Sequence, residues 1–210
     1  MDIHKENNSL GHDSVIMVFT KNPEKGKVKT RLAKTVGNEK ALLVYQKLLR
    51  ITKSVTDQLH VSKQIWYSRF IENGDIWSDC NYEKQLQKGE NLGLRMQHAF
   101  KKAFADGYQN VVIIGSDCSA LNPELIEQSF RILNSHEAVI GPASDGGYYL
   151  LGMSAFYPTL FEDKPWSTSS VFEETTRQFE EMNISYKQLP VLNDIDTEED
   201  LKASNLVIDS

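Results

Sequence analysis

Apolar and polar positions along this chain follow two different periods. "VIMVF" (15–19) is apolar throughout, the pattern of a strand covered on both faces. From 39 to 59, Ala41, Val44, Tyr45, Leu48, Leu49, Thr52, Val55 and Leu59 recur at three- and four-residue spacing, which predicts a helix with one buried face. "QIWYS" (64–68) reads as a second strand and "KQLQKG" (84–89) as a short third one. Leu92, Met96, Ala99, Phe100, Ala103 and Phe104 form another helical stripe, and "VVIIG" (111–115) is the clearest central strand. Asn122 as N-cap and Pro123 at the first helical position open a helix over 122–133. "EAVIG" and "GYYLLGM" predict two more strands, and Val171, Phe172, Thr175, Phe179 and Met182 a helix over 169–182. Alternating strands and helices predict an α/β domain with a largely parallel sheet. Ligands of such sheets bind beyond the carboxyl ends of the strands, so the loops that follow the strands are the place to look for chemistry.

Composition narrows the class. The chain has 210 residues, 40% hydrophobic and 25% charged, which suits a soluble globular protein with one domain over 14–210. The polar leader at 1–13 has no apolar stretch of the signal-peptide kind and reads as flexible. No run is long enough to predict a membrane span, and a cytoplasmic protein is expected. The net charge of −6 argues against a nucleic-acid surface. Cys80 and Cys118 lie in neither a CxxC nor a His/Cys cluster, so both read as buried thiols rather than zinc ligands.

Against that acidic background, "KNPEKGKVKTRLA" (21–33) holds Lys21, Lys25, Lys27, Lys29 and Arg31 directly after the first strand, with Gly26 among them. A Gly-containing loop leading into a helix offers backbone N–H groups and a positive dipole end to a phosphate, and the side chains add point charges and a bidentate fork. A solvated basic turn is the plain alternative. In "GSDCSALNPE" (115–124), Asp117 sits just past the central strand, where a carboxylate can hold Mg²⁺ or simply cap a turn. In "GPASDGGYYLLG" (141–152), Asp145-Gly146 signals a hairpin, and Gly146 and Gly147 also permit close approach to a ligand. In "LNDIDTEEDL" (192–201), Asp194 and Asp196 alternate and so share a face, and Thr197 with Asp200 fits a capping box. A metal carboxylate from this loop would pair in space with Asp117. Two further segments are "KGENLGLRM" (88–96), with Glu90 and Arg95, and "KPWSTSSVFEET" (164–175), where Trp166 precedes a helix with Ser167 or Thr168 as N-cap. A loop tryptophan can stack on a base or a sugar, and more often covers the core edge.

"KGKVKTRLA", "GENLGLRM", "IIGSDCSAL", "GPASDGGYYLLG", "WST" and "DIDTEEDL", in this order over roughly 15–202, resemble the bacterial radical-SAM/selenodomain-associated transferases. That family has the nucleotide-diphospho-sugar transferase (GT-A) fold, and the chain also resembles the phospholactate and phosphoenolpyruvate guanylyltransferases. The resemblance implies a Rossmann-like, mostly parallel twisted sheet with helices on both faces. It implies a nucleotide-phosphate grip by Lys21, Lys25, Gly26, Lys29 and Arg31, with Lys29, Arg31, Asp117 and Asp145 catalytic. It implies Mg²⁺ or Mn²⁺ on Asp117 and Asp196, and an acceptor pocket of Glu90, Gly146, Gly147, Tyr148 and Trp166. One departure is Ser119, where the family usually has Pro.

The expected activity is a Mg²⁺-dependent transferase, glycosyltransferase or nucleotidyltransferase. It would use a nucleoside triphosphate or nucleotide-sugar and a small-molecule acceptor, with a homodimer allowed. A nucleotide- or phospho-metabolite-binding module without turnover is the alternative, and a hydrolase using Cys118 a third reading.

Overall fold

A computed structural model describes residues 13–78, 81–204 and 206–208. The leader read at 1–13 lies outside these residues save for Asp13, whose carbonyl accepts from the Gln109 and Asn110 N–H groups. Cys80 also lies outside them.

Seven strands are described: β1 (Ser14–Thr20), β2 (Ser62–Tyr67), β3 (Glu83–Leu86), β4 (Asn110–Ile114), β5 (Ala138–Pro142), β6 (Tyr148–Met153) and β7 (Tyr186–Gln188). They form one sheet in the order β3-β2-β1-β4-β6-β5-β7. β1 pairs in parallel with β2 and β4, β2 with β3, and β5 with β7. β6 alone runs against its neighbours β4 and β5. Asp145 and Gly146 sit in the β5–β6 hairpin, as the Asp-Gly signal predicts, and Gly146 takes φ 88°, open to glycine and strained for any other residue.

The strands bury both faces. Along β1, Ile16 and Val18 point into one core and Val15 and Met17 into the other. α2 (Asn38–Asp57) and α4 (Pro123–Leu133) cover the first face through Tyr45, Leu49, Ile126 and Phe130. α3 (Leu92–Ala105) and α5 (Val171–Glu181) cover the second through Met96, Phe100 and Phe179. Each fully buried side chain of this size contributes about 1.5–3 kcal/mol of apolar transfer. This is the expected Rossmann-like, mostly parallel sheet with helices on both faces.

The short helices complete the carboxyl edge. α1 (Thr30–Val36) follows the basic loop, and α6 (Glu198–Ala203) opens on the Thr197/Asp200 capping box. α4 begins at Asn122 and Pro123 as predicted, with the Asn122 side chain accepting from the Leu125 N–H. α5 begins two residues later than its periodicity suggests, and its N-cap is Ser170 rather than Ser167 or Thr168. Thr168 instead donates its hydroxyl to the Pro165 carbonyl inside the preceding loop. No helix among the described residues is long and apolar enough to cross a membrane.

Candidate functional site

The loops after β1, β4, β5 and β7 and the 162–170 segment surround a cavity of about 550 Å³ at the carboxyl edge of the sheet. That size suits a small-molecule or nucleotide ligand. One wall is charged and the other largely apolar.

The charged wall centres on Lys29. It is the N-cap of α1 and holds the left-handed conformation, φ 47° and ψ 45°. Its side chain is 3% exposed. Nζ lies 2.8 Å from Asp117 Oδ1 and 2.9 Å from Asp196 Oδ1. The contact to Asp196 is aligned as a hydrogen bond. The contact to Asp117 is an ion pair, with Oδ1 buried against the ammonium. Burial lowers the Lys29 proton affinity, and the two carboxylates outweigh it, leaving the ammonium above its ordinary range. Asp194 lines the same cavity. Burial first, then the Asp117 charge, pushes its carboxyl up to about 7.

This wall therefore has more carboxylate than cation. Asp117, Asp145, Asp194 and Asp196 all line it, against Lys21, Lys29 and Arg31. Arg31 Nη1 approaches Asp196 Oδ2 at 3.9 Å from a largely exposed position. Among the described residues no group of three or more His, Cys, Asp or Glu side chains is arranged to hold a metal ion. A Mg²⁺ site commonly needs only one or two carboxylates plus water and substrate phosphates. The Asp117/Asp196 pair, whose oxygens already converge on one cation, the Lys29 ammonium, fits that requirement.

The tyrosine of α2 ties two loops together. Tyr45 Oη accepts from the Lys21 N–H at 2.8 Å and lies 3.0 Å from Thr20 Oγ1 and 3.2 Å from Ser116 Oγ. It joins the end of β1 to the end of β4 beneath the cavity. Burial, and then the Asp117 charge, hold its hydroxyl protonated above the usual range.

The apolar wall is built on a glycine. A Cβ at Gly93, in the first turn of α3, would stand 2.1 Å from Trp166 Nε1. The indole therefore lies directly on the α3 backbone. It stacks on Phe161, with centroids 6.4 Å apart and 14° between planes, and donates to the Phe161 carbonyl at 3.3 Å. Leu92 and Tyr148 complete this side of the cavity. Gly146 is equally constrained, since a Cβ there would stand 1.9 Å from the Ser169 carbonyl oxygen. Beneath Trp166, Lys164 is buried, with Nζ 5.2 Å from the indole centroid and 2.6 Å from Thr175 Oγ1. Burial pulls its ammonium down to about 8.

Of the residues read from the sequence, Lys21, Lys29, Arg31, Asp117, Asp145, Asp196, Gly147, Tyr148 and Trp166 all border the cavity. Asp145 also accepts from the Gly147 N–H at 2.9 Å, which fixes the hairpin turn. Five placements differ. Lys25 pairs with Glu39 at the start of α2, and Lys27 with Glu24, so both neutralise local acids away from the cavity. Gly26 is exposed in that outer turn, Glu90 is exposed beside α3, and Gly146 supports the hairpin behind the lining. Cys118 is buried, and burial pushes its thiol up to about 11, the state of an inert packing group rather than a nucleophile. Sequence reasoning passed over Tyr45, which reads as an ordinary core position of α2. It also passed over the role of Gly93, for which the only signal is a glycine inside a helical stripe.

A family model described as "Uncharacterized protein conserved in bacteria (DUF2064)" matches residues 51–168. No curated protein matches the chain. A crystal structure of a candidate nucleotide-diphospho-sugar transferase from Desulfovibrio desulfuricans G20 is 37% identical, covers 92% of this chain and 86% of its own, and superposes with a TM-score of 0.85. 4-Diphosphocytidyl-2C-methyl-D-erythritol synthase from Anaerococcus prevotii DSM 20548 is 13% identical, covers 91% and 94%, and gives 0.58. The inositol-1-phosphate CTP transferase from T. maritima is 13% identical, covers 90% and 92%, and gives 0.57. The last two likenesses concern the fold alone. With the family model spanning 51–168 and the Desulfovibrio protein similar over nearly the whole chain, this protein belongs to the DUF2064 family and has a GT-A-like, nucleotidyltransferase-type fold.

Proposed function

We propose that this protein is a metal-dependent transferase that moves a nucleotidyl or glycosyl group from an activated nucleotide to a small acceptor. The observation that carries this reading is the Lys29–Asp117–Asp196 cluster in the wall of the carboxyl-edge cavity. Asp117 and Asp196 would hold Mg²⁺ or Mn²⁺. When bound, such an ion neutralises the phosphate oxygens of the donor and of the departing group.

Lys21 and Arg31, both exposed at the cavity mouth, meet the remaining phosphate charge. Arg31 supplies a fork and Lys21 a point charge. Asp145 faces the cavity from the hairpin and can take the proton of an acceptor hydroxyl. In glycosyl transfer that oxygen forms a bond to the sugar carbon, and the bond to the nucleoside diphosphate breaks. In nucleotidyl transfer an acceptor phosphate oxygen bonds to the α-phosphorus and pyrophosphate leaves. Trp166 and Tyr148 give the acceptor an aromatic wall. The protein acts as one domain over 14–210, in the cytoplasm.

A thermal-shift screen of nucleoside triphosphates and nucleotide-sugars, each with and without Mg²⁺, tests the reading. The resemblance to phospholactate and phosphoenolpyruvate guanylyltransferases puts GTP first. A Mg²⁺-dependent rise with one triphosphate identifies nucleotidyl transfer and its base. A rise confined to a nucleotide-sugar or its diphosphate identifies glycosyl transfer. Asp117→Asn is expected to abolish the Mg²⁺-dependent rise, with a modest fall in the unliganded Tm because buried Lys29 keeps only Asp196 as its partner. A variant that keeps normal metal dependence defeats the metal role of Asp117.

A further inference from the structure

We propose that Lys29 is a tethered counter-ion: its ammonium occupies the metal position between Asp117 and Asp196, and must leave for a divalent cation to bind there. The inference rests on the metal-dependent reading above.

Three observations point the same way. Lys29 adopts a left-handed backbone conformation that disfavours any residue with a side chain, and no side-chain cap of α1 explains it. That conformation sends the side chain inward, where it is 3% exposed, whereas Arg31 two residues on is 70% exposed. Its Nζ then sits within 3 Å of one oxygen from each of two carboxylates on different loops, at 2.8 and 2.9 Å. The backbone strain and the burial of a lysine are both spent on placing one positive charge at that point.

A divalent ion binding these carboxylates would take the same oxygen lone pairs at the shorter distance of about 2.0–2.1 Å that Mg²⁺ requires. The ammonium and the metal would also repel each other across that gap. The two cations therefore exclude one another. Lys29 keeps the two loops together while no metal is present, and one ammonium leaves the pair of carboxylates with a residual negative charge that still attracts a divalent ion. Once released, the ammonium has the Asp194 carboxyl, pushed towards its protonated form by burial, as a protein neighbour in the cavity, and a phosphate group bound there offers it the stronger negative charge. Metal and polyphosphate consequently bind cooperatively, and by linkage each raises the affinity of the other equally. Lys29 acts here as a positioning residue for Asp117 and Asp196.

Mn²⁺ alone, counted by its electron paramagnetic resonance signal, tests this on the whole chain. Wild type should bind Mn²⁺ weakly. Lys29→Gln should bind one ion about tenfold more tightly or better, in the range of ordinary coupling energies. The gain should vanish in Lys29→Gln/Asp117→Asn. Equal Mn²⁺ affinity in wild type and Lys29→Gln overturns the counter-ion role and leaves the metal reading standing. No Mn²⁺ binding by either protein, with or without tripolyphosphate, overturns the metal reading as well. Should Lys29→Gln fail to fold, the side-chain ¹⁵N signal of Lys29 in wild type answers the same question. It should shift on addition of Mg²⁺ with tripolyphosphate, and an unshifted signal under saturation overturns the proposal.

Discussion

Lys29 and Lys164 are both buried lysines beside one cavity, and their ammonium groups are held in opposite ways. Lys29 sits between two carboxylates, and its proton is held more tightly than in water. Lys164 has the Thr175 hydroxyl and the Trp166 ring as its near partners, with the Glu174 charge a weaker influence, and burial brings it down to about 8. Burial alone therefore does not decide the state of a lysine; the charge beside it does. The two lysines mark the two walls. The wall around Lys29 is organised by ion pairing and suits phosphate and metal. The wall around Lys164 is organised by packing and suits an uncharged or planar group.

The largest expected effect breaks the second wall. Gly93→Val forces a side chain into the space of the Trp166 indole, which must leave its place on α3. A loss of about 3 kcal/mol in denaturant unfolding is expected, at the upper end for overpacking, together with a changed tryptophan emission spectrum. An unchanged spectrum would mean that the apolar wall does not depend on that glycine.

The lysine pair itself supplies the next test, because the same substitution should act with opposite sign. Lys29→Met leaves two partly exposed carboxylates facing each other, and a loss of about 2 kcal/mol is expected, below the cost of breaking a fully buried pair. Lys164→Met removes a cation held at a disadvantage and should gain roughly 1–3 kcal/mol at pH 7. The pH dependence separates them further. Lys164 falls from 10.5 to about 8 on folding, so the cost of its burial is full below pH 8. Between about pH 8 and 10.5 the folded protein has released a proton that the unfolded chain keeps, and stability rises with pH. Lys29 is raised above 10.5, so its contribution is complete below that pH and is lost only as pH rises through the higher folded value. Urea unfolding of both variants and wild type from pH 6 to 11 checks the signs. A gain from Lys29→Met, or a loss from Lys164→Met at pH 7, would collapse the contrast.

The smallest effect sharpens the first wall. Tyr45→Phe removes the hydroxyl that joins Lys21 to Ser116. A destabilisation of about 1 kcal/mol is expected, with a weaker response to nucleotide in the thermal-shift screen.

Much of this was legible along the chain, because local rules and the fold agree there. The stripe from Ala41 to Leu59 is buried as its spacing requires. Asn122, Pro123 and the Thr197/Asp200 box mark helix starts through short-range hydrogen bonds that need no distant partner. The Asp145-Gly146 turn predicts a hairpin, and β5 and β6 pair antiparallel around it. The basic loop was legible as a cluster but not in its division of labour. Lys25 and Lys27 turn outward because Glu39 and Glu24 stand within reach, and nothing in their sequence spacing separates them from Lys21 and Arg31.

The sequence by itself determined most of the elements, their two-faced burial and the loops in which chemistry would gather, since these follow from periodicity, capping and turn residues acting over a few positions; the edge strand β7, with two of its three residues exposed and polar, has no such pattern. Tertiary structure decided which charges meet. Lys29 and Asp196 are separated by 167 positions, and they meet because β1 and β4 pair in parallel and the chain returns after β7 to the same edge. Trp166 and Gly93 touch only because α3 and the 162–170 segment cover the same face of the sheet. Pairing of this kind depends on distance in space and on the sign of the nearest charge, and neither is written in the spacing of residues along the chain.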